Sequence, residues 1–260
     1  NTRRYSDLSV KQFIKPTTQA TGSIDYALGK ITFYVTAVSV SQKLYIGTTN
    51  SSNFTTIDST TSMSGNGGIK VTQSSVNSGF DYYINDKNNL SFNVSYKPTG
   101  QNVDLLSETF LYKNNIPLNT ISSLTNNSTN SDESTFSLFY QKTFKKPIEE
   151  FTAETSYYIF KSNDGNDFTN TRYLYNSDLI LSTYSRLEDD INKRNYFSTK
   201  LNYTYPIGMS AKIEAGYQLY YQDLSYDFVI NNLPSSNLFE YGEFRNSVYG
   251  GVTYNLKKLV

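Results

Sequence analysis

From Ala211 to Gln222 the side chains alternate in character along the chain. Ile213, Ala215, Tyr217, Leu219 and Tyr221 share one parity; Lys212, Glu214, Gly216, Gln218 and Gln222 share the other, with Tyr220 among them. Successive side chains of a strand point to opposite faces, so this pattern predicts a β-strand with one apolar face. The pattern recurs. Phe197, Leu201, Tyr203 and Tyr205 oppose Ser198, Lys200, Asn202 and Thr204, while Phe151, Ala153, Tyr157 and Ile159 oppose Thr152, Glu154 and Ser156. Leu90, Phe92, Val94 and Tyr96 oppose Ser91, Asn93, Ser95 and Lys97; Val248, Val252, Tyr254 and Leu256 oppose Ser247, Thr253 and Asn255. A helix would need apolar residues three and four apart, and these segments lack them. Two segments are less regular. In Ile31 to Val40 the apolar residues change parity around Ala37 and Val38, which predicts a β-bulge. Lys142 shares the parity of Phe136, Leu138, Tyr140 and Phe144, as a lysine snorkelling at a strand end would.

The connections alternate too. Short turns are expected at Gly29-Lys30, Asn85 to Asn88, Lys145 to Pro147, Pro206 to Gly208 and Lys257-Lys258. Between them lie long polar segments, read as loops: Lys43 to Gly68, Pro98 to Ser131, Ser162 to Lys193 and Asp223 to Glu240. Short turns on one side and long connections on the other are the habit of transmembrane barrels. The alternating runs, about 10 to 13 residues each, match the roughly 9–11 that a tilted strand needs to cross hydrocarbon. Strands of soluble proteins are more often about 5–6 residues. Phe144, Phe151 and Tyr205 stand at strand ends, where an interfacial aromatic girdle would sit, although Trp is absent.

Composition sharpens this reading mainly by exclusion. The 24 Tyr and 16 Phe favour pleated strands, and the abundant Asn and Ser favour turns. With no Cys and no His there is no disulfide framework, zinc or haem site, thiol nucleophile or Ser-His-Asp triad, and no cofactor is expected. Basic and acidic residues balance at 23 each, which leaves no electrostatic footprint for nucleic acid. Mean hydropathy is −0.50, as a strand with only one apolar face allows even in a membrane. The chain starts at Asn1 without Met or signal peptide, so a mature form or an excised piece is expected.

Three hairpins carry a family resemblance. Gly79-Phe80-Asp81-Tyr82-Tyr83-Ile84-Asn85-Asp86-Lys87-Asn88-Asn89-Leu90-Ser91-Phe92 resembles a recurring hairpin in the outer-membrane β-barrel domain of TonB-dependent receptors from Bacteroidetes. Asn202-Tyr203-Thr204-Tyr205-Pro206-Ile207, running on to Lys212-Ile213-Glu214-Ala215-Gly216-Tyr217, is similar to a second, although the family usually has His where this chain has Tyr205. Ser23-Ile24-Asp25-Tyr26-Ala27-Leu28-Gly29-Lys30-Ile31-Thr32-Phe33-Tyr34 is similar to a third, with less identity. They occur in the family's order. The resemblance implies a bacterial outer-membrane barrel of about 22 strands, the size of plugged transporters, with energised nutrient uptake, an N-terminal plug domain and TonB as partners. This chain has no plug segment and only about nine or ten strands, counting Arg4 to Ile14, and an open barrel leaves costly unpaired backbone in lipid. The expectation is therefore all-β: a single region over 1–260, an antiparallel up-and-down transmembrane β-barrel, an incomplete part of a larger one, with outer-membrane lipid as a partner.

Candidate chemistry is sparse. Ser162 to Asp167 offers clustered oxygen ligands without the rest of a calcium loop, so an acidic surface turn is expected. Glu149-Glu150 and Glu188-Asp189-Asp190 are adjacent carboxylates. Neighbours on a strand face opposite ways, so solvated turns or loops are expected rather than a catalytic pair. The sequons at Asn53 and Asn202 are given no glycan. The polar-parity residues Asn93, Glu154, Lys200, Lys212, Glu214 and Gln218 are expected to face the lumen, there to tune passage, hold a plug, or pair across strands. The alternatives are a small complete outer-membrane barrel with a structural or adhesive role, and a soluble β-sandwich binding module. No enzyme is expected.

Overall fold

The computed structural model describes residues 4–14, 17–54, 58–208, 210–231 and 238–254, the first of these by backbone alone. They form β1 (Arg4–Ile14), β2 (Thr18–Leu28), β3 (Ile31–Phe54), β4 (Ser59–Asn85), β5 (Asn88–Lys113), β6 (Ile116–Thr143), β7 (Glu150–Leu174), β8 (Ile180–Ile207), β9 (Ala211–Ile230) and β10 (Phe239–Tyr254). Each strand from β3 onward pairs antiparallel with its sequence neighbour in one sheet, and no helix occurs among the described residues.

Arg4 to Ile14 is a strand, as counted, but it adds no column to the sheet. β2 pairs with the first part of β3, from Leu28↔Ile31 to Thr18↔Ser41. β1 pairs with the remainder, from Ile14↔Leu44 to Arg4↔Phe54. The two lie end to end along one edge of β3, so the ten strands make nine columns. Among the described residues, neither this edge nor that of β10 has a further partner, and the sheet is not closed.

The long loops expected from the sequence are strands. β3 continues through Lys43 to Phe54 and is paired by β4 as far as Ser59. β5 and β6 run to Lys113 and Ile116, leaving only Asn114-Asn115 between them. Both asparagines have left-handed φ values, 52° and 61°, the requirement of a two-residue I′ hairpin. Ser162 to Lys193 divides between β7 and β8, and most of the segment from Asp223 to Glu240 between β9 and β10. Strands thus reach 28 residues in β6 and β8, far beyond the crossing length predicted. The physical reason is that a ladder needs only paired backbone. Alternation appears only where one face meets an apolar medium. Beyond that zone both faces meet water, and the strands are joined by polar pairs such as Ser39 Oγ···Ser74 Oγ (3.0 Å) and Thr169 Oγ1···Ser185 Oγ (3.0 Å).

The short turns stand where expected. Gly29 and Gly208 take φ of 60° and 62°, and Asn85 Oδ1 accepts from Lys87 N and Asn88 Nδ2. The Lys257-Lys258 turn, Leu256, Asn255 and Thr55 of the first sequon lie outside the described residues. The bulge expected near Ala37 is absent: Gly22↔Ala37↔Val76 and Thr21↔Val38↔Ser75 run in unbroken register. Val38 and Val40 instead join the polar face. Register shifts fall beside the turns, at Tyr83/Asn85, Leu111/Tyr112 and Arg172/Tyr173.

Directly paired residues share a face, so the registers assign both faces across all nine columns. One row of the first face reads Tyr26, Phe33, Phe80, Phe92, Leu138 and Thr155. Another reads Tyr157, Phe197, Tyr221 and Phe244. This apolar zone ends in Pro98, Asp132, Lys161 and Lys193, which lie in a single row, with Asn195, Asp223 and Gly242 in the row next to it. From Phe197 to Tyr205 it spans roughly 27 Å along the strand, which matches a lipid-facing band about 25 Å tall once strands are tilted. Its aromatics cluster at the turn end: Phe144 packs edge-on to Tyr203, and Lys142 and Lys146 lie over the Phe144 and Tyr205 rings. Lys142 snorkels there as predicted.

No hydrophobic side chain is buried among the described residues; Ile24 is 73% exposed and Val248 84%. A sandwich requires a second sheet packed on the first, and the described residues form one. In water such a face would be an aggregation surface. It requires lipid.

Candidate ligand surface on the polar face

All six residues singled out from the sequence lie on the face opposite the apolar band. Glu154, Lys200 and Gln218 stand in one row across β7, β8 and β9. Lys212 and Glu214 pair along β9 at 2.7 Å, both partly exposed. Asn93 lies between Gly79 and Ser137 and donates through Nδ2 to the Tyr34 hydroxyl at 3.3 Å. The structure brings Glu154, Lys200 and Gln218 together and places Asn93 on the same face two strands away from Glu154, on β5.

Asn93 belongs to a device that appears twice. Tyr34, Gly79 and Asn93 form a straight row across β3, β4 and β5; Tyr249, Gly216 and Asn202 form another across β10, β9 and β8. In each, the tyrosine ring lies over the glycine and its hydroxyl reaches the asparagine beyond: Tyr34 accepts from Asn93, and Tyr249 donates to Asn202. A Cβ on Gly79 would meet the Phe92 carbonyl as well as the Tyr34 hydroxyl at 2.5 Å. Aromatic cover of a glycine is a known way to hold a curved sheet in register.

A second cluster was not foreseen. Tyr158, Tyr196 and Tyr220 lie on the polar face of β7, β8 and β9, with ring centroids 5.3 and 6.3 Å apart and interplanar angles of 34° and 24°. Arg245 covers the outer ring of this platform at 4.8 Å, and Arg194 covers Phe160 at 5.2 Å. Glu243 accepts from Gln222 Nε2 (2.8 Å) and the Tyr241 hydroxyl (3.0 Å) and pairs with Arg245 Nε (2.7 Å). The row Tyr158, Tyr196, Gln222, Glu243 lies immediately inside the upper limit of the apolar band, on the side of the long hairpins. The available signal was parity: Tyr220 fell among the polar positions of an otherwise regular strand.

The carboxylates expected in turns or loops lie mostly inside strands. Ser162 to Asp167 is mid-β7 and Glu188 to Asp190 is mid-β8. Their oxygens therefore divide between the two faces instead of converging as a calcium loop would. Glu150 opens β7, and Glu149 in the preceding turn accepts from the Tyr203 hydroxyl at 2.7 Å. Asp190 and Asp164 stand directly opposite each other well beyond the band. Burial, with Asp164, Glu188 and Asp189 nearby, raises the Asp190 carboxyl above its ordinary value of 3.8, although a bond from Tyr226 opposes this. Between the ordinary and raised values the folded form binds more protons than the unfolded one. Stability then falls as pH rises through that window, and the charge is a liability above it. Asp190→Asn is expected to raise the unfolding midpoint at neutral pH, with the gain shrinking on acidification and gone below the ordinary value. Unfolding midpoints measured at a series of pH values check this.

Residues 142–260 match the model of the outer membrane protein beta-barrel family. The location is the outer membrane. The matched stretch holds β7 to β10 and therefore the tyrosine platform. No curated protein matches the chain in sequence. Among solved structures, the chain is similar to BauA, the ferric preacinetobactin receptor of Acinetobacter baumannii. Identity is 7%, TM-score 0.41, and the match covers 99% of this chain and 45% of that one. It is similar to the ferric yersiniabactin uptake receptor FyuA of Yersinia pestis at 7% identity and TM-score 0.41, covering 94% of this chain and 43% of that one. For the outer membrane protease OmpT of Escherichia coli the figures are 9% and 0.26, with 96% of each chain covered. The chain spans less than half the length of the two receptors.

Proposed function

We propose that these strands are part of the wall of a larger outer-membrane barrel, that of a TonB-dependent receptor taking up a nutrient. The apolar band meets lipid and the polar face lines the lumen. A plug domain and TonB are the partners that the hairpin resemblance implies. The single observation that carries this reading is the two-faced nine-column sheet whose two edges have no further partner among the described residues. Unpaired backbone in hydrocarbon costs several kcal/mol per group by the usual estimate, and bacterial single-chain barrels have even strand numbers. Further strands on both edges satisfy both constraints. The wall then works by binding and passage rather than by covalent chemistry, with the hairpins that rise beyond the band as its outer rim.

The test is the native polypeptide, purified from outer membranes and examined by intact mass and by gel migration with and without boiling. A heat-modifiable protein much larger than the 29.5 kDa of this chain, with a plug ahead of the barrel, is the expected result. A native polypeptide of about this size that closes by itself would overturn the receptor reading in favour of a small structural or adhesive barrel.

A further inference from the structure

We infer that two outward-facing lysine pairs, Lys43 with Lys70 and Lys161 with Lys193, each bind a phosphate of a phosphorylated glycolipid in the outer leaflet. The inference needs the outer-membrane location and the lipid-facing band, and it rests on the proposed function only in taking the long hairpins to point away from the cell.

Register is the first argument. Lys43 stands directly opposite Lys70 on β3 and β4, and Lys161 directly opposite Lys193 on β7 and β8. All four are exposed on the face that carries the apolar band. Like charges directly opposite in a ladder are destabilising, and this wall carries the arrangement twice. Carboxylates share the face: Asp132 beside Lys161, Asp104 beside Gly68, and Asp223 on the strand next to Lys193. Yet among the described residues none of the four ammonium groups is in an ion pair. Asp132 instead accepts from the Tyr96 hydroxyl at 2.6 Å.

Height is the second. The pairs stand four columns apart, but they are level when counted from the short turns. Lys43 is twelve residues beyond Ile31, and Lys161 is eleven beyond Glu150. Lys70 precedes Asn85 by fifteen, and Lys193 precedes Ile207 by fourteen. This level is the end of the apolar band on the side of the long hairpins, where the headgroups of the outer leaflet begin.

The surfaces on either side of this level decide the class of lipid. Below Lys161 and Lys193 the same face carries Tyr157 and Phe197, which suit acyl chains. Beyond Lys43 and Lys70 it opens into hollows over Gly68 and Gly47, the second lined by Thr49, Ser64, Asn66 and Glu108. Hydroxyl, amide and carboxylate groups together donate and accept, as sugar hydroxyls require. Acyl chain, phosphate and sugar thus meet matching surfaces in the order in which a phosphorylated glycolipid presents them. A phosphate seated between two ammonium groups accepts charge-assisted bonds from both and relieves their repulsion.

The test uses the full native protein, stripped of lipid in detergent, with bound lipid counted by native mass spectrometry. It is offered bisphosphorylated lipid A, the same lipid A dephosphorylated, phosphatidylglycerol and inorganic phosphate. Bisphosphorylated lipid A is expected to bind at least tenfold more tightly than the other two lipids, and inorganic phosphate should not displace it. Lys43→Gln with Lys70→Gln should remove one bound lipid, and Lys161→Gln with Lys193→Gln another, while arginine at the same positions retains both. Lys97→Gln, the same change of charge on the polar face, should remove none. Equal binding of dephosphorylated lipid A or phosphatidylglycerol, displacement by inorganic phosphate, or an unchanged lipid count in the double variants would overturn the proposal. The same samples are run with and without boiling. A protein that is heat-modifiable and of receptor size but holds no lipid A removes this inference alone, whereas one of about this chain's size removes the receptor reading whatever it binds.

Discussion

Leu138→Arg is expected to destabilise the barrel in lipid by about 2–4 kcal/mol, whereas Ser137→Arg on the same strand changes it by under about 1 kcal/mol. Leu138 stands between Phe92 and Thr155 on the apolar face, well inside the band, and is 44% exposed with no protein layer over it. A guanidinium there must sit in hydrocarbon or reach for an interface. One residue earlier, Ser137 stands between Asn93 and Ser156 on the polar face, where water solvates an added charge. Sequence neighbours, nearly identical in backbone environment, thus differ only in the medium they face. Urea titration of the full protein folded into lipid vesicles measures both. Equal losses for the two variants would show that the faces have been assigned wrongly.

Gly79→Ala is the second large effect, with an expected loss of about 1–3 kcal/mol, the usual range for forcing added atoms into a packed site. The new methyl would strike the Phe92 carbonyl on β5 and the Tyr34 ring on β3. A flexible side chain could swing away, but a ladder carbonyl cannot. Tyr34→Ala should therefore rescue Gly79→Ala only in part, and the double-mutant cycle apportions the clash between ring and backbone. Gly250→Ala is the control: its Cβ would lie 3.7 Å from the Glu214 carbonyl, an ordinary contact, and a change below about 0.5 kcal/mol is expected.

Both predictions rest on faces that could be read from the residues. The alternation of Ile213, Ala215, Tyr217 and Leu219 against Lys212, Glu214 and Gln218 exists because lipid removes polar side chains from one parity alone. Any ladder with one face in hydrocarbon carries that mark. Short turns were legible for a related reason: Gly29 and Gly208 need left-handed backbone, and Asn85 caps its own turn. Bulge and loop predictions failed where that logic stops. Val38 changed parity without breaking the ladder, because the polar face tolerates a valine near the edge of the sheet. Thr48, Thr125 and Asn170 looked like loop residues because, beyond the band, no apolar medium selects among side chains while the backbone still pairs.

The sequence by itself therefore determined the strands within the band, their orientation to lipid, and the polar parity of Asn93, Glu154, Lys200, Lys212, Glu214 and Gln218, since each follows from local periodicity. Only the tertiary structure decided that β1 and β2 share one column, that Tyr34 and Tyr249 lie across glycines two strands from their asparagines, and that Tyr158, Tyr196 and Tyr220 meet. Those are matters of register between segments as far apart as Tyr158 and Tyr220. Register is set by the summed pairing of whole strands, a quantity that no single segment carries.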